Sequence, residues 1–250
     1  MIALIAFKEK IRRKVFFAVF ALAALITLIF STGAATVTIN GESVTDYKIL
    51  MPTMLTVMNA ASCAMAVALS LNTIPKEYER HTNQLIFIRG VSQSRYHIQL
   101  AIANITASLV SHAIFFSGLA VYIITSKNPS ELLWAVPSYM YSGIGIVIVS
   151  LCTTCLSIVF SEMAAGVISV VIMLIGVFYP MIELLKGIAG GLSGKIFKAL
   201  LFVLPNLHGI QSAAGCLITE HTFDLHIMFV ALFYVYLFAL GIILFRRKED

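Results

Sequence analysis

Residues 76–95, KEYERHTNQLIFIRGVSQSR, form a polar, charged island between two long uncharged runs. One run extends from Ile49 to Pro75 and the other from Tyr96 to Ser126. Each is long enough to cross a bilayer, which takes roughly 20 apolar residues. An island between two membrane spans must lie in water, where a soluble partner can bind it. We call residues 76–95 the island.

The composition predicts a membrane protein. The 250 residues are 60% apolar and only 12% charged, whereas soluble domains carry about 25% charged residues. A soluble protein is therefore excluded, and much of the apolar surface must face lipid or other transmembrane helices. The net charge of +5 is explained by an uneven placement of basic residues along the chain, so we do not interpret it as affinity for nucleic acid.

The uncharged runs predict an all-α membrane protein of six spans, with a short amphipathic helix at residues 1–14 lying in the lipid interface. The spans are predicted at 15–39, 49–74, 98–125, 133–160, 163–182 and 225–245. Residues 1–250 form a single transmembrane domain.

Turn and breaker residues predict where these spans end. Asn40-Gly41 predicts a turn after the first span, and Pro75 predicts the end of the second. Tyr179-Pro180 predicts a break or kink near the end of the fifth. Residues 183–224 predict one or two short re-entrant helices after a flexible linker at 187–194, because this segment is too polar and too interrupted for a span.

The basic residues predict the orientation. Both termini and the island would share one side, with five basic residues before the first span, four in the island and three after the last span. The other side holds five: Lys48, Lys127, Lys186, Lys195 and Lys198. Twelve against five places the termini and the island in the cytoplasm, and the short loops with this basic bias suit a bacterial inner membrane.

The island itself predicts a short helix. Glu77 and Glu79 suit its N-terminus, and Arg89-Gly90 suits its end. The apolar residues 85–88, LIFI, are too few to span a membrane. One interpretation is a protein-docking element with an apolar centre and a charged rim. The other is a solvated loop whose apolar residues pack on the base of the bundle.

Sequence motifs argue against catalysis by the chain itself. It contains no GxxxxGK[ST] phosphate loop, no HExxH and no GxSxG motif. The Cys152/Cys155 pair has no second pair or nearby His to complete a zinc site. We interpret the pair as two small residues one helical turn apart, and we expect no disulfide framework and no metal.

The island and its flanks resemble the type-2 permeases of ABC exporters. That family typically carries Glu-x-Glu, then Gly-Thr, a leucine pair, and Ser-Arg before the third span. The matching stretches here are EYERHTNQL at 77–85 and VSQSRY at 91–96. The chain departs from the pattern at His81, where Gly is usual, and at Gln93, where Arg is usual, although Arg95 can substitute for it.

The resemblance implies a fold and a role. The fold has an amphipathic elbow helix, six spans, a cytoplasmic coupling helix between spans two and three, and broken extracytoplasmic helices between spans five and six. The role is that of a permease, homodimeric or paired with a related permease, on which two separate ABC ATP-binding subunits dock. Those subunits bind ATP and Mg, so this chain needs no cofactor of its own. Size and pattern are similar to small permeases that export peptides.

The resemblance also implies two groups of functional residues. The docking group is Glu77, Glu79, Arg80, Thr82, Leu85, Phe87, Arg89 and Glu162. The candidate substrate-path group, which could equally pack helices together, is Asn59, Ser62, Asn104, Ser108, Ser111 and His112.

Two rival classes of function stay open from the sequence. One is a secondary transporter or channel that works without an ATPase; intramembrane acidic residues would favour it, and none is predicted at mid-depth. His112 could then take a direct substrate or proton role. The other is a membrane assembly protein without a transport role. Co-purification with an ATPase would separate both from an ABC permease.

Overall fold

The computed structural model describes residues 2–12, 15–32, 37–39, 42–44, 46–126, 128–188 and 191–247. In these ranges the chain is helical apart from one hairpin of two three-residue strands, so the all-helical prediction is confirmed in its main feature. In chain order the elements are α1 Ile2–Ile11, α2 Val15–Ser31, β1 Val37–Ile39, β2 Glu42–Val44, α3 Tyr47–Leu71, α4 Thr73–Glu79, α5 Thr82–Ile88, α6 Gln93–Thr125, a 3₁₀ turn Pro129–Glu131, α7 Leu132–Val159, α8 Glu162–Val177, α9 Tyr179–Ile188, α10 Gly191–Val203, α11 Leu207–Thr219 and α12 Leu225–Leu244.

Several helices are suited to crossing a membrane. Four helical segments among the described residues are long and apolar enough: Tyr47–Glu79, Gln93–Thr125, Pro129–Val159 and Leu225–Leu244. The number rises to as many as seven if each of three bent helix pairs counts as one span. These helices agree with the prediction of a multi-span membrane protein.

Helix α7 is the centre of the bundle. It packs against α3, α6, α8, α11 and α12, and 78% of its most apolar stretch is buried, compared with 17% for α12. Helix α11 lies along one half of α7, where Ser138 donates a hydrogen bond to the Ala214 carbonyl at 2.7 Å. A Cβ atom on Gly145 would lie 3.6 Å from Ile210, so α11 reaches only the middle of α7.

The first predicted span is shorter than expected. Helix α2 ends at Ser31, and residues 37–39 form a strand that pairs antiparallel with residues 42–44, instead of extending the helix to residue 39. The 17 residues of α2 measure about 26 Å at 1.5 Å per residue. The turn predicted at residues 40–41 lies outside the described residues.

Lys10 is buried, although it belongs to the amphipathic helix predicted to lie in the lipid interface. It is only 3% exposed, and its ammonium group donates hydrogen bonds to the Leu69 carbonyl and, at 2.7 Å, to Thr73 Oγ1. Helix α3 ends at Leu71, where the last carbonyls lack intrahelical amide partners and a cation is favoured. Lys10 therefore attaches α1 to the break between α3 and α4.

The flanks of the island also differ from prediction. Pro75 does not end the second predicted span, because the helix breaks earlier, at Asn72, and Pro75 lies within the first turn of α4. Proline is tolerated there because the first-turn amides have no intrahelical acceptor. Helix α6 begins at Gln93, five residues before the predicted start, so the island contributes to three helices rather than one.

Residues 183–224, for which one or two short helices are predicted, contain the second half of α9 and all of α10 and α11. Helices α8 and α9 meet at a bend of 76°, so the break predicted at Tyr179-Pro180 is confirmed. The predicted flexible linker is largely helical: Gly187 lies in α9 and Gly194 in α10, and residues 189–190 are outside the described ranges. Helices α10 and α11 meet at 56° around Pro205.

Candidate functional site

The island folds as two short helices separated by a tight turn. Helix α4 ends at Glu79 and α5 begins at Thr82, and the intervening His81 has φ 56°. This left-handed conformation is rare for residues with a side chain and is the usual reason for glycine at a helix end. His81 is also the position at which the resemblance leads one to expect glycine. Helix α5 then ends at Ile88, and Gly90 has φ 79°, as Arg89-Gly90 predicts.

One group of predicted docking residues points inward and supports the island. The Tyr96 hydroxyl donates a hydrogen bond to Glu77 Oε2 at 2.9 Å, and Thr82 Oγ1 donates to the same carboxylate and, at 3.0 Å, to the Glu77 carbonyl. Phe87 packs edge-on against Tyr96 with ring centroids 5.8 Å apart. Glu77 lies in the last turn of α4, so the prediction that it begins a helix is wrong. Its carboxylate nevertheless lies next to the first residue of α5.

A second group of predicted docking residues lies on the surface. Leu85 is 66% exposed, and Glu79, Arg80 and Arg89 of the same segment are also exposed. Ile88, which is 82% exposed, belongs to the same surface and is absent from the predicted docking residues. Its position could have been inferred, because residues three apart share one face of a helix.

The interpretation that the LIFI segment packs on the base of the bundle is correct for half of it, and the docking interpretation stays a prediction. Ile86 and Phe87 pack on the core cluster that contains Ile74, Tyr96 and Leu100. Leu85 and Ile88 remain on the surface, and charged residues of the same segment are also exposed. We call the set Leu85, Ile88, Glu79, Arg80 and Arg89 the island patch. Glu162, the remaining predicted docking residue, is half-buried at the start of α8.

The predicted substrate-path residues lie inside the bundle. Asn59 and Ser62 of α3 and Asn104, Ser108, Ser111 and His112 of α6 are all fully buried. His112 bridges two neighbouring helices: its Nδ1 lies 3.1 Å from Ser62 Oγ, and its Nε2 lies 3.0 Å from Ser142 Oγ. Its ring also stacks on Tyr139 at 5.1 Å. In this conformation these contacts join α3, α6 and α7.

Asn104 of α6 connects α4 and α7 nearer the island. Its Oδ1 accepts a hydrogen bond from Thr73 Oγ1 at 2.8 Å, and its Nδ2 donates to Thr154 Oγ1 at 2.8 Å. Because Lys10 donates to Thr73, a continuous chain of polar contacts runs from α1 to α7. In contrast, both polar atoms of the Asn59 amide, and the Ser108 and Ser111 hydroxyls, have no hydrogen-bond partner among the described residues.

This difference between the two asparagines predicts opposite effects of one substitution. Asn104→Leu is expected to lower the free energy of unfolding by about 1–2 kcal/mol, because it removes two hydrogen bonds that join α6 to neighbouring helices. Asn59→Leu removes an amide that has no protein partner and is expected to be neutral or stabilising. Equilibrium unfolding of both variants in mixed micelles measures this. Equal destabilisation by the two substitutions would contradict the assignment.

A cavity that the sequence analysis did not predict lies beside α12. It has a volume of about 790 Å³ and an apolar lining from α10, α11 and α12 that includes Phe202, Ile210, Phe229 and Leu237, with Asn206 and His226 among its polar residues. The volume is in the range of small-molecule sites, which are mostly apolar with a few polar groups. No predicted substrate-path residue lines it.

The described ranges contain no group of three or more His, Cys, Asp or Glu side chains able to hold a metal ion. Cys63, Cys152, Cys155 and Cys216 are all free thiols, and Cys152 and Cys155 are buried within α7.

Comparison with known proteins found no family model and no curated protein sequence that matches this chain.

Proposed function

We propose that this chain is the transmembrane permease subunit of an ATP-driven exporter of the ABC type. In this proposal the chain has six spans with both termini in the cytoplasm of a bacterial cell, and it works as a homodimer or with a related permease. Separate subunits bind ATP and Mg and dock on the island. The cargo is an amphipathic peptide or another hydrophobic molecule, and the apolar cavity beside α12 supports a substrate of that character.

The island patch is the observation that carries the proposal. Leu85 and Ile88 are large apolar side chains on a short helix with charged neighbours, which is the composition of a docking surface with an apolar centre and a polar rim. Helix α5 is held from beneath by the Glu77–Thr82–Tyr96 contacts and by Phe87. A partner that displaced α5 would therefore also displace α4 and α6.

The basic bias supports the orientation that the proposal needs. An ATPase of the cytoplasm can reach the island patch only if the island lies on that side. Two basic residues of the predicted cytoplasmic side, Lys10 and Arg247, also donate hydrogen bonds to carbonyls at the ends of α3 and α7, so they have a structural use in addition to their effect on topology.

The proposal is tested by purifying the tagged chain from native membranes in mild detergent, identifying its partners by mass spectrometry and measuring ATP hydrolysis. We expect a stoichiometric ATPase with a phosphate-binding loop. Recovery of the chain without any ATPase would favour a stand-alone transporter or an assembly protein.

A charge-reversal pair locates the docking surface. Glu79→Lys is expected to lower ATPase recovery several-fold, because like charge at an interface rim weakens association. Glu220→Lys makes the same change at an exposed residue at the end of α11, on the opposite side in the proposed topology, and is expected to leave recovery unchanged. Quantitative immunoblotting of the eluted complexes measures both. An equal loss of ATPase recovery in the two variants would contradict docking on the island.

A further inference from the structure

Arg247 makes specific contacts at the end of α7. It follows α12, which ends at Leu244, and its Nη1 donates hydrogen bonds to the carbonyls of Ser157 at 2.7 Å and Phe160 at 3.3 Å. These carbonyls lie at the C-terminal end of α7, where intrahelical amide partners run out and a cation is favoured. Arg247 thus caps α7 immediately before the Ser161–Glu162 turn into α8.

The same residue contacts the island. The Arg247 guanidinium lies over the Tyr78 ring, with 5.4 Å between its central carbon and the ring centroid, a distance at which a cation is attracted to an aromatic face. Gln93 strengthens the link, because its Nε2 donates to the Tyr78 hydroxyl at 2.6 Å and to the Arg247 carbonyl at 2.8 Å. The Tyr78 hydroxyl also lies 3.1 Å from His97 Nε2.

We propose that Arg247 is a positioning residue that joins the island to the α7–α8 turn, so that a partner docked on the island patch moves both as one unit. We call the contacts of Arg247 with Tyr78, Gln93, Ser157 and Phe160 the clasp. The transmission step rests on the proposed function, since it needs a partner on the island. The clasp itself does not depend on the proposed function, because all of its contacts lie within this chain.

The arrangement of the clasp explains why one side chain can have this effect. The island and the α7–α8 turn are far apart in sequence, and Arg247 contacts a residue of α4 on one side and the end of α7 on the other. Planar guanidinium is suited to this, since it can donate several hydrogen bonds in its plane while presenting its face to a ring. A lysine at this position would carry the same charge, but its ammonium group has neither several coplanar N–H donors nor a planar face to stack on the ring.

Distance measurement between paired spin labels tests the clasp without any partner. The labels are placed at Gln84 on α5 and Met163 on α8, both exposed and outside the island patch, in a Cys216→Ser background. The protein is kept in lipid nanodiscs. We expect a narrow distance distribution in the parent chain and one that is roughly twice as wide in Arg247→Ala. The width of the distribution in Arg247→Lys should lie between those of the parent chain and Arg247→Ala.

Arg246→Ala is the matched control. Arg246 is the neighbouring residue and its side chain is exposed. Its replacement by alanine removes the same positive charge from the C-terminal side of α12, so any effect of charge on membrane topology is the same, but the clasp is left intact. We expect its distance distribution to equal that of the parent chain. Equal widths for the parent chain, Arg247→Ala and Arg246→Ala would overturn the clasp. If Arg247→Ala is recovered poorly, Tyr78→Phe provides the test, because it removes only the hydroxyl contacts to Gln93 and His97 and should widen the distribution by less.

The transmission step is tested with the purified complex and a non-hydrolysable ATP analogue. We expect the distance between the labels to be unchanged by nucleotide in the parent complex and to shift in Arg247→Ala, with the ATPase recovered equally. A nucleotide-dependent shift in the parent complex would contradict movement as one unit. Failure of the parent chain to recover an ATPase would refute the proposed function and the transmission step, and the partner-free measurement would still decide the clasp.

Discussion

Leu85→Asp is expected to weaken binding of the ATP-binding subunit roughly thirtyfold, which corresponds to about 2 kcal/mol and is typical of an apolar residue at the centre of an interface. Leu85 is 66% exposed in the chain alone, so a carboxylate there can stay hydrated and the fold should be preserved. In the complex the same carboxylate would have to lose water without gaining a partner. Titration of the purified ATPase onto the chain in nanodiscs measures the affinity.

Leu85→Met is the control for this substitution. It keeps an apolar side chain of similar volume and is expected to bind within about twofold of the parent chain. Membrane insertion and thermal stability should be equal for the parent chain and both variants. Tight binding by Leu85→Asp would contradict the docking role of the island patch, whereas loss of stability in Leu85→Asp would show that Leu85 supports the fold.

The second large effect is a loss of stability, and it is expected where α8 packs on the segment that joins α10 to α11. Gly176 of α8 lies against the Pro205–Leu207 segment, and an added Cβ would be 2.8 Å from both the Pro205 carbonyl oxygen and Leu207 Cγ. Because backbone cannot yield as a flexible side chain does, Gly176→Ala is expected to cost about 1–3 kcal/mol in the free energy of unfolding. Each kcal/mol lowers the melting temperature by about 2–4 °C in a protein of this size.

Gly187→Ala makes the identical change where space is available. Gly187 lies in α9, and an added Cβ would meet no atom within 4 Å. Alanine is the better helix former by roughly 0.8–1 kcal/mol, so this variant is expected to be at least as stable as the parent chain. Thermal unfolding of both variants in one detergent compares them. Equal stability of Gly176→Ala and Gly187→Ala would show that α8 does not pack closely on the Pro205–Leu207 segment.

The long apolar helices were predictable because the length of an uncharged run is enough to indicate a membrane span, whatever its periodicity. The positions at which these helices break are harder to predict, because they depend on single residues. Pro75 could equally end one helix or begin another, and its position inside α4 is decided by the break at Asn72. Residues 37–39 continue the uncharged run of α2 in sequence but form a strand with residues 42–44, a local pairing that the absence of charge does not predict.

The sequence predicts which residues belong to the island, but it does not predict which of them lie on the surface and which support the fold. The island motif contains both surface residues such as Leu85 and supporting residues such as Glu77, and the sequence gives no means of separating them before α4 and α5 are placed on Tyr96. Lys10 and Arg247 were interpreted only as charges that set topology. Their carbonyl contacts at the ends of α3 and α7 connect segments distant in sequence, so no local pattern could reveal them.

Photocrosslinking from the island patch is the most direct test of the proposed function. A photoreactive amino acid replaces Ile88, a large apolar residue of α5 that is 82% exposed, and native membranes are irradiated before mass spectrometry. The proposal predicts a principal adduct with an ATPase that carries a phosphate-binding loop, and no such adduct from the same amino acid at Glu220. Adducts from position 88 that contain only lipid, or a protein of the opposite side of the membrane, would contradict it.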